Sequence, residues 1–424
     1  MERLTTFLAH SNVLSNQQFG FRPGKSTIDA LTKATDEIYN NIENKKPTIG
    51  MFLDLTKAFD CVNINLLLRK LYNYGIRGKA GELLQSYLKN RQQYVELQDF
   101  DNTNTLRKYS SDTQPVSSGV PQGSVIGPLL YLLYVNSIIE EPTTVDKMLM
   151  FADDTSLLFT SPTLIETQNI ANQRINQISN QFADHSLLVN SSKTNYIIFK
   201  TPQSNINTNL DILLNNIKLQ QTEHTKFLGL VIDNNLNWRG HIQYLTKKIS
   251  SALFLLRRMS QIGSQQISLT VYYTLIQSVI TYGINLWGAS NETNVQQIFR
   301  LQKKAVRYIN NLGYRDSCQT TFRQLQILTV PSLFIYQTLL HNFDTLHTLP
   351  RLGDTHEHNT RHRTQLAYTK HTTHSYEKHS SYLTAKLFNK LPTEIKSTTA
   401  IKKNFKKSLR DYLLNKCLYS VNEF

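Results

Sequence analysis

Two adjacent carboxylates, Asp153 and Asp154, sit inside the run Lys147-Met-Leu-Met-Phe-Ala-Asp-Asp-Thr-Ser-Leu-Leu-Phe-Thr160. Apolar residues precede them and follow Ser156, which predicts a β-hairpin with both carboxylates at its tip. Taken alone, Asp-Asp in a turn is ordinary solvated punctuation. A third carboxylate, Asp54, lies in Ile49-Gly-Met-Phe-Leu-Asp-Leu55, a near-continuous apolar run that predicts a strand buried on both faces. An Asp there is costly unless it is paired, hydrogen-bonded or metal-bound. Beside the hairpin tip it makes a cluster of like charges that calls for cations. Oxygen ligands without His or Cys suit Mg²⁺, with Mn²⁺ as a substitute. Two such ions roughly 3.5–4 Å apart serve in-line displacement at phosphorus.

The rest of the chain must bring these carboxylates together. Ser26 or Thr27 is placed to cap a helix over 28–44, and helical spacing continues over 62–90 with a break at Gly75–Gly81. Asp60 is expected to cap the helix that begins near Val62. Lys89–Val95 reads as a basic strand of the central sheet. Gly119, Gly123 and Gly127 precede Pro128 and an apolar helix over 129–139. An amphipathic helix is predicted over 163–185, a strand over 195–199 and a strand pair near 227–233. Helices are predicted from 241 to 313, over 335–343 and over 380–416.

Composition narrows the function. The chain has 424 residues, 40% of them hydrophobic, enough for several packed units. A formal net charge of +15 favours a polyanionic partner, nucleic acid ahead of a membrane surface. Cys61, Cys318 and Cys417 are far apart and form no disulfide framework or Cys-based zinc motif. The longest apolar stretch, Val125–Val135, is too short to span a bilayer, and no signal peptide is visible, so an intracellular location, nucleus or cytoplasm, is expected. His356, His358, His362, His371, His374 and His379 crowd a polar stretch. Their irregular spacing favours a linker contacting RNA or target DNA over a zinc site.

Several segments resemble one family in its own order. Phe151-Ala-Asp-Asp154 resembles motif C of reverse transcriptases, and Phe52-Leu-Asp-Leu-Thr-Lys-Ala-Phe-Asp60 resembles motif A. Pro121-Gln-Gly123 resembles motif B, Lys193 matches the lysine of motif D, and Phe227-Leu-Gly-Leu-Val-Ile-Asp233 resembles motif E. The wording is closest to non-LTR retrotransposons, especially the jockey-like group, and extends from about residue 17 to about residue 240.

The resemblance implies an α+β right-hand polymerase: partial fingers over 1–48, a palm with an antiparallel sheet over 49–235, a helical thumb over 236–330, and a basic helical C-terminal extension over 331–424. It implies Asp54, Asp153 and Asp154 as catalytic metal ligands for two Mg²⁺ ions, with Lys193 either the general acid for pyrophosphate or a surface lysine. It implies dNTP contacts from the Leu55 backbone, Phe59 as steric gate, Gln122 and Gly123. Nucleic acid is expected at Arg22 and Lys25 in the fingers loop, at Phe227, Leu228 and Gly229 in the primer grip, and at Arg257 and Arg258 in the thumb. Implied partners are an RNA template, a DNA primer or target DNA, and dNTPs, without a membrane and with oligomeric state unassigned. The family's upstream fingers strands, with their triphosphate-gripping Lys and Arg, and its endonuclease domain are not expected within this sequence, which reads as a fragment or a truncated copy. A truncated relic that only binds nucleic acid is the alternative expectation.

Overall fold

The computed structural model describes residues 2–100, 104–139, 143, 146–201, 210–355 and 363–424. The chain divides into two compact units, the first comprising Met1–Ala30, Ile49–Tyr196 and Thr208–Gln221, the second Leu31–Thr48, Ile197–Asn207 and Thr222–Phe424. Helix α1 (Thr27–Glu43) belongs to both. Its start is capped reciprocally: the Asp29 carboxylate accepts from the Ser26 N–H and hydroxyl, and the Ser26 hydroxyl oxygen accepts from the Asp29 N–H.

In the first unit, strand β1 (Thr48–Leu53) is buried at every position, as its apolar run requires. Helix α2 (Ile64–Asn73) follows. The hairpin β2 (Glu96–Phe100) and β3 (Leu106–Ser110) is exposed throughout. Helix α3 (Gly127–Val135) is buried at every position but Pro128. Next come the hairpin β4 (Asp146–Phe151) and β5 (Asp154–Thr160), helix α4 (Leu164–Asp184), β6 (Asn195–Phe199) and β7 (Gln220–Gln221). One sheet forms in the order β7-β6-β1-β5-β4. The carboxylate strand is therefore central, next to the carboxylate hairpin, which forms over 147–160 as the apolar runs flanking Asp153-Asp154 predict.

Three expectations are corrected. The sheet is not wholly antiparallel, because β7 pairs with β6 in parallel. Lys89–Val95 does not join it: Gln92–Gln93 pairs with Gln114–Pro115, and the chain then enters the exposed β2–β3 hairpin. Asn63, not Asp60, caps the helix after motif A, its side chain accepting from the Leu66 N–H at 3.0 Å.

In the second unit, β8 (His224–Phe227) and β9 (Leu230–Asp233) form a hairpin, followed by α5 (Arg239–Ile262), α6 (Glu292–Ile309), α7 (Val330–His341) and α8 (Ser380–Asn389). Helix α5 buries Ile242, Leu245, Ile249, Leu253 and Leu256 on one face, and α6 packs against it. The histidine stretch is not a free linker where it is described. The Glu43 carboxylate on α1 accepts hydrogen bonds from Thr372 and Thr373, and Asp36 accepts from the Ser380 N–H at 2.8 Å. His371 stacks on Tyr376, His374 meets Glu377 and His379 faces Asp36. His356, His358 and His362 lie outside the described residues. Cys61, Cys318 and Cys417 are free thiols.

Candidate active site

Asp54 directly follows β1, where loop 186–194 is laid alongside: Asn190 N–H donates to Asp54 O at 2.8 Å, and Thr56 N–H to Leu188 O at 2.9 Å. The same loop delivers Lys193, whose Nζ lies 3.5 Å from Asp54 Oδ2. Both side chains are open to water, so this ion pair is worth about 0–1 kcal/mol and yields readily to a stronger cation.

Asp153 and Asp154 come from the adjacent hairpin. The pair Phe151↔Asp154 closes a two-residue loop, Ala152-Asp153. Ala152 has φ 58°, a left-handed position that hairpins of this kind usually give to glycine. The conformation costs an alanine roughly 1–2 kcal/mol. Gln18 offsets it from another part of the chain, its Oε1 accepting from Ala152 N–H at 3.0 Å and from Gly20 N–H at 2.9 Å.

The Asp154 carboxyl feels the other two. Burial first, then the charges of Asp153 and Asp54, push the Asp154 carboxyl above the usual Asp range. A group that resists ionisation because of two like charges is suited to a cation. Among the described residues no three His, Cys, Asp or Glu side chains already stand in a metal-holding arrangement. The donor chemistry nonetheless fits a hard divalent ion, with oxygen ligands only and a like-charge penalty that a cation relieves.

The remaining motif residues of the first half of the chain lie in the same unit as the acids. The Phe59 ring stacks on Tyr131 at 4.3 Å and meets Phe21 edge-on at 6.3 Å, so it is held rigidly while staying half exposed. Gln122 donates to Asp60 Oδ1 at 2.7 Å, which gives Asp60 its role in place of the cap. Gly123 has φ 78° and open space around it, leaving the backbone accessible. Gly119 has φ 86°, and a Cβ there would lie 2.9 Å from Asp60 O. Leu55 is buried and bridges to Val189. Arg22 donates to the carbonyls of Ser15 and Gln18, and its burial lowers its pKa. Its guanidinium is thus engaged with its own loop. Lys25 lies over the Phe19 ring at 4.6 Å.

Two residues of this site escape sequence reasoning. Gln18 stands at the head of the segment that carries Arg22 and Lys25, without a charge to mark it. Tyr131 is fully buried in an apolar helix, and its hydroxyl has no partner among the described residues. Burial, then the charges of Asp153 and Tyr134, push its pKa up. The one available signal was a pair of phenols, Tyr131 and Tyr134, inside an otherwise aliphatic run.

The second unit holds the other motif residues. Leu228-Gly229 is the tip between β8 and β9, with φ 44° and 82°, and Tyr282 donates its hydroxyl to Leu228 O at 2.5 Å. Phe227 is buried beneath this tip. Arg257 and Arg258 are exposed on α5, over the rings of Tyr308 and Phe254, and neither meets a carboxylate among the described residues.

The reverse transcriptase (RNA-dependent DNA polymerase) family matches residues 1–232, more than half of the chain. The "Probable RNA-directed DNA polymerase from transposon X-element" of Drosophila melanogaster is 26% identical over 340 residues, covering 77% of this chain and 35% of that protein. The corresponding transposon BS protein of the same species is 27% identical, covering 77% and 36%. The mobile element jockey polymerase of that species is 24% identical, covering 77% and 35%. The chain thus spans about a third of the length of these relatives. Apo telomerase from Candida tropicalis overlays 79% of this chain on 54% of its own, at a TM-score of 0.40 and 11% identity. The chain belongs to the reverse transcriptase family, with its α+β right-hand polymerase fold, alongside the RNA-directed DNA polymerases of jockey-like non-LTR retrotransposons.

Proposed function

We propose that this chain carries the nucleotidyl-transfer centre of an RNA-directed DNA polymerase, adding dNTPs to a DNA primer 3′-OH on an RNA template. The observation that supports the reading is the placement of Asp153-Asp154 on the hairpin next to the strand that Asp54 follows, where the charges of both neighbours act on Asp154.

Asp54, Asp153 and Asp154 hold two Mg²⁺ ions in this reading, with Mn²⁺ as a substitute. Bound there, the ions supply charge stabilisation for in-line displacement and lower the pKa of the 3′-OH. Lys193, already beside Asp54, donates a proton toward the departing pyrophosphate. Phe59 excludes a 2′-OH, its plane fixed by Tyr131. Gln122, Gly123 and the Leu55 backbone flank the dNTP. Lys25 and Arg22 serve the template strand, Lys25 directly and Arg22 by shaping the loop. Phe227, Leu228 and Gly229 hold the primer end, and Arg257 and Arg258 hold duplex phosphates.

The fingers, palm, thumb and C-terminal extension take the boundaries 48, 235 and 330 in this assignment. No described helix is long and apolar enough to cross a membrane. With a net charge of +15, a nucleic-acid-bound pool in nucleus or cytoplasm is the proposed location.

Primer extension on poly(rA)/oligo(dT) tests the reading. The wild-type chain extends, and Asp153→Asn with Asp154→Asn abolishes extension while filter binding of the duplex persists. Equal extension by the double variant refutes the site. A wild-type chain that binds but never extends is the nucleic-acid-binding relic instead.

A further inference from the structure

Gln18 is a neutral side chain, fully buried, from a segment far from the catalytic strands in sequence. Residues 17–19 lie along β4, with Met150 N–H donating to Gln17 O at 2.9 Å and Phe19 N–H to Met150 O at 2.8 Å. This register carries the Gln18 amide to the Ala152-Asp153 loop, where its Oε1 holds the Ala152 N–H at 3.0 Å and the Gly20 N–H at 2.9 Å. Gly20 permits the approach, since a Cβ there would lie 2.4 Å from Ala152 N. A left-handed alanine persists only where its surroundings over-determine it. An amide oxygen suits that task beside an acidic cluster. It accepts two N–H groups, as a carboxylate would, without adding a further negative charge.

We propose that Gln18 is a positioning residue: it locks the left-handed Ala152 turn and thereby aims the Asp153 carboxylate at the divalent cations. The proposal rests on the polymerase reading for its catalytic consequence, but its geometric part stands apart from it.

A double-mutant cycle in the full chain separates positioning from mere packing. Gln18→Met keeps the volume and removes the acceptor. Ala152→Gly removes the penalty of positive φ, so the turn holds its shape without help. Terbium(III) luminescence reads cation binding without turnover. Gln18→Met is expected to weaken terbium binding about tenfold, the usual scale for a residue supporting a metal ligand. The same loss is expected in kcat at saturating poly(rA)/oligo(dT), with KM for dTTP changed less than about twofold. In the Ala152→Gly background the loss caused by Gln18→Met shrinks to less than about twofold.

Wild-type terbium affinity in Gln18→Met, or an equal loss in both backgrounds, overturns the proposal. Should Gln18→Met fail to fold by circular dichroism, Gln18→Asn replaces it. That variant withdraws the amide by one methylene, the same tenfold loss is expected, and its absence counts against Gln18. A wild-type chain that binds terbium but does not extend primers refutes the polymerase reading alone. A wild-type chain that binds no terbium overturns both.

Discussion

Asp154 shows how one side chain reports on its site. Loss of part of its hydration, then the charges of Asp153 and Asp54, raise its pKa above the ordinary value of 3.8, although the residue stays exposed at the hairpin tip and water screens much of the effect. The folded state therefore binds this proton more tightly than the unfolded state. Stability falls as pH rises from the ordinary Asp range through the raised pKa, and the cost is complete above it. Asp154→Asn removes the cost. Without divalent cations at pH 7 the variant should melt higher, by on the order of 1–3 °C. Adding Mg²⁺ should raise the wild type more than the variant, because the ion binds only the folded state. Calorimetry in EDTA and in Mg²⁺ checks both, and a lower melting temperature for the variant in EDTA would remove the like-charge argument. Tyr131 acts on the neighbouring residue. Its ring fixes Phe59 at 4.3 Å, so Tyr131→Leu should let the gate tilt. The ratio of kcat/KM for UTP to that for dTTP on poly(rA) should rise roughly tenfold, the scale of one lost contact. An unchanged ratio would separate Tyr131 from sugar selection.

At the scale of elements, both hairpins turn through left-handed residues, Ala152 in one and Leu228-Gly229 in the other. The tip Leu228-Gly229 has left-handed backbone at both positions and depends on one side-chain bond, Tyr282 to Leu228 O. Tyr282→Phe should destabilise the tip by about 1 kcal/mol. Hydrogen exchange at the Gly229 and Leu230 amides would then speed up about fivefold, with little change in global melting, and an unaltered rate would leave the tip held by packing alone. Much of this level was legible in sequence. Apolar residues on both sides of Asp153-Asp154 marked a hairpin, the unbroken run before Asp54 marked an interior strand, and the amphipathic run from 163 marked α4. What stayed hidden depends on partners distant in the chain. Asp60 looked like a helix cap because acidic residues cap helices, yet Asn63 lies nearer the first turn and Gln122 claims Asp60. The basic run at Lys89 looked like a sheet strand, but the apolar residues after it, Leu97 at 65% exposed and Phe100 at 62%, stand in the open on a two-stranded hairpin. Gln18 gave no signal, because an uncharged amide in a Gly-Pro loop reads as punctuation until the strand it meets is known.

Across the whole molecule, charge and connectivity pull against each other. A net charge of +15 repels itself, so segments remote in sequence need anchors. In the second unit the anchors are acids of α1 that hold the chain around residues 372–380. Asp36 is buried against Ser380 and His379, and burial raises its pKa. Glu43 behaves in the opposite way. Its slight burial works to raise its pKa, but hydrogen bonds from Thr373 and Thr372 outweigh this and hold it at about 2, against an ordinary 4.5. A depressed carboxylate contributes stability that is present above the unfolded pKa and lost as pH falls through the folded one. The Glu43 latch should therefore weaken progressively between pH 4.5 and pH 2. Glu43→Gln keeps the shape and discards the charge. At pH 7 it should expose the 363–380 segment to limited proteolysis, and between pH 4.5 and pH 2 its melting temperature should fall less steeply than that of the wild type. Parallel pH profiles for the two proteins would show that the latch carries no charge-dependent stability, leaving Asp36 and the packing around α8 to hold the C-terminal chain in place.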